Sequence, residues 1–535
     1  MHASALILVA IGLFAAGYLF YGRYLAAKFN LDPVRKTPAA EINDGRDYVP
    51  TRIPVLLGHH FASIAGAAPI IGPVIAAVFG WVPVALWILF GSIFMGGAHD
   101  ISALVASVRH RGSSIGEVIE THIGKSGKKL FLTFAWFLIV LVIAAFIDAV
   151  TSVFIQTPAT ATSSGLFILL AVLFGLAVYR MHAPLWISSI IGVGLLTGCI
   201  ILGLRLPVML PAFIWKMILF GYIFIAAVVP VWILLQPRDY LNAFLLYMLL
   251  VAGVTGILAA DPVIQAPAFT AFNIPKLGTL FPILFVTVAC GAISGFHALV
   301  SSGTTSKQLA RETDARPVAY GSMLIEGLLS IIALITAATL LTGRYSDMLA
   351  KGGAIGVFSA GIGRFVTRIG IPEAAGKTFA ALAISAFAMT TLDTATRLGR
   401  FMFQEFFESA GRLRFLYQNR YFATFVTIAA AALLTLTGTQ TTIWPLFGAA
   451  NQLLASLVLL AISVWLAGQG QKNGFVLYPM FFMFCVTLTA LGFMVYRNAA
   501  VRNFPLLILS VLLLAVAVVL ILEAVRSLKS KKRPA

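Results

Sequence analysis

Long apolar segments alternate with short polar connections along this chain, and most have the length of a membrane-spanning helix. A helix needs about 20 mainly apolar residues to cross the hydrocarbon core of a bilayer. The pattern predicts fifteen transmembrane helices, over residues 3–27, 58–80, 82–108, 129–154, 163–180, 185–204, 209–235, 241–260, 279–300, 318–342, 374–396, 421–437, 442–467, 475–496 and 504–525.

A further apolar stretch, 351–370, is interrupted by several glycines and is predicted to be a re-entrant or surface element. A sixteenth span there stays open, so the expected total is about 15 helices within a range of about 14–17. The first segment follows an N-terminus without basic residues and lacks a small-residue cleavage site, which favours a retained span over a signal peptide. The predicted fold class is therefore an all-α polytopic membrane protein.

The composition agrees with this interpretation. Of 535 residues, 60% are hydrophobic and only 10% are charged, whereas soluble domains carry about 25% charged residues. A soluble enzyme, a disordered protein and a secreted disulfide scaffold are excluded. Cys199, Cys290 and Cys485 all lie in apolar runs, so they are expected to be buried thiols. Their spacing matches neither a disulfide framework nor a zinc finger.

The net charge of +18 is explained by topology. With the N-terminus outside and the C-terminus in the cytoplasm, most of the 37 Lys and Arg residues fall in cytoplasmic connections, as the positive-inside rule requires. Arg238 is counted among them, while the basic cluster at 344–377 falls outside. The expected partner is the lipid bilayer rather than nucleic acid, and the expected location is the bacterial inner membrane.

Polar residues inside spans are costly and therefore point to function. The segment GHHFASIAGAAPIIGP (58–73) combines His59 and His60 with Pro69 and Pro73. Prolines interrupt the helical hydrogen-bond ladder, and the freed backbone groups are candidates for contact with a substrate or ion. A kinked packing helix is the alternative.

His99 and Asp100 end the next span, where a histidine beside a carboxylate can hold a proton. A structural pair near the cytoplasmic surface is the alternative. Because the first two spans of this region are predicted to be antiparallel, His59, His60, His99 and Asp100 are expected to be near neighbours.

Four later groups add candidates. They are the interrupted segment 229–240 with Trp232, the glycine- and serine-rich segment 290–308, the intramembrane acids Asp148, Glu326 and Asp393, and the segment 444–452 with Asn451 and Gln452. Buried acids are candidate proton carriers or members of buried ion pairs. Asn451 and Gln452 are expected to join helices by hydrogen bonds.

These motifs closely resemble the carbon starvation protein A (CstA) family of bacterial inner-membrane transporters. The resemblance rests on GHHFASIAGAAPIIGP (58–73), LWILFGSIFMGGAHD (86–100), QPRDYL (236–241), CGAISGFHALVSSGTTSKQ (290–308), TTLDTATR (390–397) and WPLFGAANQ (444–452). It implies uptake of small carbon and nitrogen sources, with peptides and pyruvate as substrates, and a link to the carbon-starvation response.

The resemblance also implies the amino acid–polyamine–organocation superfamily and a LeuT-like core of two five-helix inverted repeats with discontinuous helices. In that frame 58–80 would be core helix one, 209–235 core helix six, 279–300 core helix eight and 374–396 core helix ten. The expected organisation is an N-terminal helix and loop (1–57), a transport core (58–397) and accessory helices with a basic tail (398–535).

The resulting hypothesis is a secondary transporter that imports pyruvate or a short peptide with protons, and not an enzyme. The sequence lacks a Walker A motif, and no cofactor is expected. In this hypothesis amides at the Gly66–Pro73 break and at the break near Pro230 hold the substrate carboxylate. The expected substrate-binding residues are Gly66, Ala67, Ala68, Pro69, Gly72, Trp232, Gly291, Ser294, His297, Ser301 and Ser302. The expected proton carriers are His59, His60, His99, Asp100, Glu326 and Asp393, with Na⁺ as the alternative coupling ion.

Two other functions stay open at this stage. His59, His60, His99, Asp100 and His297 offer imidazole and carboxylate ligands suited to a transition metal, so a membrane metalloprotein is one alternative. A nutrient sensor without transport is the other. The sequence leaves the oligomeric state open.

Overall fold

The computed structural model describes residues 1–45, 47–230, 233–275, 277–408, 414–437 and 440–531. The first part of the chain forms helices α1 (Ala3–Ala16), α2 (Gly22–Lys28), α3 (Pro38–Ile42), α4 (Ile53–Ile64), α5 (Ala68–Ala76), α6 (Trp81–Phe90), α7 (Gly97–Arg109), α8 (Ile115–His122), α9 (Lys125–Gln156), α10 (Pro158–Gly175), α11 (Leu185–Arg205), α12 (Ala212–Val228) and α13 (Leu235–Ala260). The second part forms α14 (Leu280–Val288), α15 (Gly295–Gly303), α16 (Ser322–Ala338), α17 (Thr342–Val366), α18 (Glu373–Phe407), α19 (Arg414–Gln418), α20 (Arg420–Thr437), α21 (Gln440–Gly468), α22 (Gly474–Ala500) and α23 (Phe504–Lys531).

Shorter elements complete the fold. Over the described ranges, π-helical turns continue neighbouring helices at Gly17–Tyr21, Gly91–Gly96, Leu176–Arg180 and Arg316–Gly321. Short 3₁₀ turns lie at Ala77–Phe79, Ala289–Gly291, Thr305–Lys307, Glu312–Asp314 and Thr367–Ile369. Strands β1 (Asn273–Ile274) and β2 (Gly278–Thr279) pair antiparallel.

The helix count agrees with the prediction. Among the described residues, thirteen helices are long and apolar enough to cross a membrane, and the bent pair α4–α5 brings the number to fourteen. Helix α12, with 17 residues, accounts for the remaining predicted segment. The stretch 351–370 belongs mainly to α17, which kinks at Gly353, where φ is 59°.

Burial separates the helices into a core and a lipid-facing periphery. The apolar segment of α21 is entirely buried, and α9 and α18 pack together within the same core. Helix α11 instead exposes apolar side chains such as Trp186, Ile190 and Leu195. Large apolar side chains on an outer helix are stable when lipid surrounds them, because lipid tails are as apolar as the side chains themselves.

The connections fall on two faces. On one, which we call the N-terminal face, Ala3 donates to the Pro262 carbonyl, Trp81 to that of Pro267 and Gln265 to that of Ala338. On the opposite face, which we call the basic face, Val49 donates to the Lys307 carbonyl and Thr51 to that of Gln308. Connections predicted to share a side of the membrane therefore meet in the structure.

A buried ion cluster holds the basic face together. The carboxylate of Glu312 is buried and lies 2.9 Å from Nη1 of Arg35 and 2.9 Å from Nε of Arg109. It also accepts a hydrogen bond of 3.0 Å from the backbone N–H of Asp32. Arginine pairs well with a buried carboxylate because its fork of donors satisfies both oxygens. The polar segment before α4 is thereby fixed across the end of α7.

In the described part of the chain, two breaks between helices lie in the buried core. Helix α4 ends at Ile64 and α5 begins at Ala68, with a bend of 47° between them. Pro69 favours this break because it lacks an N–H and cannot donate to the Ala65 carbonyl one turn earlier. The backbone leaves helical geometry at Ala65, where ψ is 68°. The second break separates α14 from α15 over residues 289–294, where Ala289 has a φ of 47°.

The break predicted near Pro230 does not interrupt a single helix. A discontinuity near Pro230 was expected within core helix six, but Pro230 lies in the connection between two separate helices, α12 and α13. Proline ends one helix there, and Pro237 is accommodated in the first turn of the next, where its missing N–H has no helical acceptor. The break that packs against α5 is instead the one between α14 and α15.

Candidate functional site

The two helix breaks lie against each other in the core. A Cβ atom added to Gly72 would lie 2.5 Å from the carbonyl oxygen of Thr287 and 2.6 Å from that of Val288. A Cβ atom on Gly66 would lie 2.5 Å from Oγ1 of Thr391 and 2.8 Å from the Phe146 ring. Both glycines therefore allow close helix packing, a role that the sequence alone did not distinguish from substrate contact.

Replacing Gly72 with alanine is expected to destabilise the folded protein by about 1–3 kcal/mol, because the added methyl group meets backbone oxygens that cannot rotate away. The measurement is the melting temperature of the detergent-solubilised protein. Gly12→Ala is the matched control, since a Cβ atom on Gly12 has no heavy atom within 4 Å. A Gly72→Ala variant that melts with the Gly12→Ala variant would contradict the packing role.

The predicted substrate residues gather at these breaks, apart from one. At the first break Gly66, Ala67, Ala68, Pro69 and Gly72 are all buried, and at the second Gly291, Ser294, His297, Ser301 and Ser302 are buried too. Trp232 lies outside the described residues.

A side chain of α21 is hydrogen-bonded to the N-terminus of α15. Asn451 of α21 accepts a hydrogen bond of 2.9 Å from the backbone N–H of Phe296 and donates one of 3.0 Å to the hydroxyl of Ser294. Gln452 donates to the Phe285 carbonyl at 2.9 Å. Both residues therefore join helices, as predicted, and Asn451 satisfies one N–H group at this helix end.

At the first break, two backbone N–H groups have no hydrogen-bond acceptor among the described residues. Within the described residues the N–H groups of Ala67 and Ala68 donate no hydrogen bond, whereas the N–H of Ile71 donates to the Ala67 carbonyl at 2.9 Å. Unpaired N–H groups at a helix N-terminus attract anions. The prediction that this break can hold a carboxylate therefore retains a physical basis.

Four ionisable side chains form a continuous buried network beside the second break. Asp100 on α7 accepts from Nδ1 of His99 at 2.7 Å and from Nδ1 of His297 on α15 at 2.8 Å. Nε2 of His297 lies 3.3 Å from Oε2 of Glu326 on α16. All four are fully buried. The sequence predicted each of them, and the structure joins them in the order His99, Asp100, His297, Glu326.

The contacts constrain where one proton lies. With Asp100 ionised, its carboxylate only accepts, so Nδ1 of His99 and Nδ1 of His297 both carry hydrogen. Nε2 of His297 and Glu326 are within ion-pair distance but do not have hydrogen-bond geometry. Nε2 of His297 then faces Glu326 either as a protonated imidazolium or as a lone pair opposite a protonated acid. In both forms one proton lies on the His297–Glu326 pair. Without it, a lone pair would face a buried carboxylate, and the contact would be repulsive.

Cys290 extends this network. Its thiol contacts Ser294 at 3.4 Å and Asn451 at 3.2 Å, and ligand atoms of Cys290, His297 and Glu326 all lie within 4.8 Å of one another. The sequence indicated only a buried thiol here. This trio differs from the predicted metal set, because His59 and His60 have other partners.

His59 and His60 are not joined to the network by a hydrogen bond or ion pair among the described residues. His60 Nδ1 lies 2.8 Å from Oγ1 of Thr305, and His59 Nδ1 lies 3.5 Å from Oδ2 of Asp239. The two histidines point to different neighbouring helices because they are successive residues on α4. His60 still lies close enough to Asp100 and His297 for their charges to act on it, so its expected proximity to the network needs no direct bond.

A second buried network surrounds Arg238 in the first turn of α13. Its guanidinium lies 2.6 Å from Oδ2 of Asp393 on α18, which also accepts from the hydroxyl of Tyr222 at 2.7 Å. Arg238 and Asn242 each donate to Oγ1 of Thr390 at 3.0 Å. Asp393, a predicted proton carrier, is thus held in an ion pair.

Arg238, counted above with the cytoplasmic connections, lies in the first turn of α13 rather than in a loop, and only 3% of the residue is exposed. The sequence around Arg238 does contain an indication that this residue is buried. Arg238 and Asp239 stand between Pro237 and a strongly apolar segment, and adjacent opposite charges at the start of a span can be buried when each finds a partner. The partners, Asp393 and Tyr222, are too distant in sequence to be inferred from spacing.

The fold is that of a multi-pass membrane protein with two buried ionic networks. In solved structures the same fold occurs in a manganese transporter from Eremococcus coleocola, with a TM-score of 0.55 and 12% identity over 91% of this chain and 98% of that one. A family model described as carbon starvation protein CstA matches residues 2–356 and 346–490. The chain belongs to this family.

Curated relatives are transporters as well. The peptide transporter CstA of Helicobacter pylori (strain ATCC 700392 / 26695) is 35% identical, covering 88% of this chain and 78% of that protein. The peptide transporter CstA of Bacillus subtilis (strain 168) is 30% identical over 98% of this chain and 97% of its own length. The pyruvate/proton symporter BtsT of Escherichia coli (strain K12) is 38% identical over 66% of this chain and 52% of its own length. The chain is thus a transporter rather than an enzyme, and the metalloprotein and sensor alternatives are not favoured.

Proposed function

We propose that this chain is a secondary transporter of the bacterial inner membrane that imports small carboxylate nutrients, pyruvate or short peptides, together with protons. The observation that carries the proposal is the buried His297–Glu326 pair, which is attractive only while it holds a proton. Relatives named as a peptide transporter and as a pyruvate/proton symporter support the substrate class and the coupling ion.

The distribution of charge and open space supports an orientation. We assign the N-terminal face to the outside and the basic face to the cytoplasm, in keeping with the positive-inside rule. The Glu312 cluster fixes the basic face, while a cavity of about 290 Å³ lies near the N-terminal face.

The substrate is proposed to bind at the first break. The free N–H groups of Ala67 and Ala68 at the start of α5 can donate to a carboxylate, and the positive end of the helix dipole adds to the attraction. The second break packs against α5, so a shift of α5 upon substrate binding would reach the network around His297.

Coupling follows from the charge of the network. When the His297–Glu326 pair holds its proton, α15 and α16 are joined by an attractive contact. When the proton leaves toward the cytoplasm, two acids remain buried with insufficient positive charge, which is unfavourable in an apolar interior. The network must then rearrange or take up another proton. Proton binding outside and release inside would thereby drive the transport cycle.

The test is uptake of labelled pyruvate into proteoliposomes, with and without an imposed inward proton gradient, in the presence of dipeptide or tripeptide competitors. Gradient-driven accumulation that peptides do not block would establish a pyruvate/proton symporter. Peptide uptake without pyruvate uptake would establish the peptide substrate. Accumulation driven by a sodium gradient alone would overturn proton coupling, and no uptake by folded protein would overturn the proposed function.

A further inference from the structure

A cavity of about 290 Å³ near the N-terminal face lies between the end of α9, helix α17 and the start of α18. Binding pockets for small molecules commonly measure about 300–1,000 Å³, so this one suits a ligand of a few heavy atoms. Its polar lining comprises Gln156, Thr157, Asp347, Lys351, Ser359 and Lys377.

The charges of the lining are unbalanced. Lys351 pairs with Asp347 one helical turn away, at 2.8 Å. Lys377 also lines the cavity but forms no ion pair within the part of the chain that the structure describes. One positive charge is therefore left over, and it faces a space bounded by neutral and compensated groups. Such a site attracts a small anion and holds it weakly, because the lysine is exposed to solvent.

Ser359 supplies a second, independent indication of a ligand. Its side chain lines the cavity, only 2% of the residue is exposed, and its hydroxyl has no hydrogen-bond partner among the described residues. Buried hydroxyl groups are normally hydrogen-bonded, since leaving one unpaired costs free energy. A carboxylate between Lys377 and Ser359 would satisfy this hydroxyl group.

Helix α17, which forms one wall of the cavity, is hydrogen-bonded to α5, the helix that follows the first break. The hydroxyl of Tyr345 on α17 donates to the carbonyl of Val74 on α5 at 2.7 Å. Helix α17 kinks at Gly353, next to the lining residue Gly352. A ligand that draws the two walls together would therefore act on α5, the helix whose N-terminus is proposed to hold the substrate.

We propose that this cavity is an outer vestibule that binds the carboxylate of a small monocarboxylate at Lys377 and Ser359 before it reaches the break between α4 and α5. The inference rests on the proposed transport function and adds to it a first binding site and a substrate class. The vestibule raises the local substrate concentration through one uncompensated lysine.

The test compares pyruvate uptake by Lys377→Gln with that by Arg368→Gln in proteoliposomes. Arg368 is an exposed residue of the same face that does not line the cavity, so both variants lose one charge there. Lys377→Gln is expected to raise the KM for pyruvate about fivefold with little change in maximal rate, the size of effect typical of one exposed charge contact. Lys377→Arg is expected to stay near wild type. Equal KM values for Lys377→Gln and Arg368→Gln would overturn the vestibule.

A labelling experiment provides a readout that does not depend on turnover. In a background with Cys199 and Cys485 replaced by alanine, Gly356→Cys places a thiol in the cavity wall. A membrane-impermeant thiol reagent is expected to label it from outside, and pyruvate is expected to slow the labelling. Labelling that pyruvate does not slow would overturn the site even if uptake is normal. Absence of gradient-driven uptake by the wild-type protein would instead contradict the proposed function.

Discussion

Glu326→Gln is expected to reduce gradient-driven pyruvate accumulation by about 100-fold, the lower end of what a positioned proton-transfer group contributes. Glutamine has nearly the shape of glutamate and can donate from its amide to Nε2 of His297, so the contact at 3.3 Å is preserved without an exchangeable proton. Exchange of labelled for unlabelled pyruvate across the membrane, which needs no net proton movement, is expected to persist.

The contrast between accumulation and exchange distinguishes coupling from folding. Glu373→Gln is the control, because Glu373 is an exposed acid of the first turn of α18. It is expected to accumulate pyruvate as the wild type does. If Glu326→Gln accumulates pyruvate normally, the proton is carried elsewhere. If it loses both accumulation and exchange while the melting temperature falls, Glu326 is a structural residue and the coupling role is wrong.

His297 offers a second test of the same network. His297→Gln removes the side chain that joins Asp100 to Glu326 and leaves two buried acids without an intervening base. Because buried uncompensated charge is costly, uptake is expected to fall at least as far as in Glu326→Gln, and exchange is expected to fall with it. The exposed His182, replaced by glutamine, is the matched control. Retained proton-driven uptake in His297→Gln would remove His297 from the coupling site.

How far the sequence predicted this site depends on the range of the interactions. The pattern of apolar segments located the helices. Ionisable groups are rare in such segments, and this rarity identified the four residues of the network, His99, Asp100, His297 and Glu326. Their order in the network was not predictable, since it depends on the contact between Asp100 of α7 and His297 of α15, which are 197 residues apart in sequence.

The errors share one physical cause. Both the expected break at Pro230 and the loop position of Arg238 were inferred from local sequence near two prolines. A proline indicates that a helix is interrupted but not whether the chain continues across the membrane or turns back. The packing partner decides this, and in the structure it is Val288 of α14 that meets α5. Local patterns likewise cannot show that Asp393 compensates Arg238.

The buried Arg238–Asp393 pair makes the strongest prediction about stability. Arg238→Met is expected to destabilise the protein by about 3–5 kcal/mol, because Asp393 would remain buried without its guanidinium partner. The measurements are the yield of monodisperse protein after detergent extraction and its melting temperature. Arg205→Met, at the exposed end of α11, removes an arginine that has no ion pair with any described residue and is expected to melt with the wild type.

The decisive variant replaces Arg238 and two of its side-chain partners, on α12 and α18, with apolar groups and leaves the buried Asp239 in place. Arg238→Met combined with Asp393→Leu and Tyr222→Phe removes the guanidinium, the carboxylate and the hydroxyl that bonds to it. Thr390 keeps its hydrogen bond from Asn242. Because hydrophobic residues can replace a buried ion pair at little cost, the triple variant is expected to recover most of the lost melting temperature. A triple variant as unstable as Arg238→Met would mean that the arginine stabilises the fold through more than its charge partner. Wild-type stability of Arg238→Met would mean that Asp393 is already neutral and free to carry the proton assigned above to the His297–Glu326 pair.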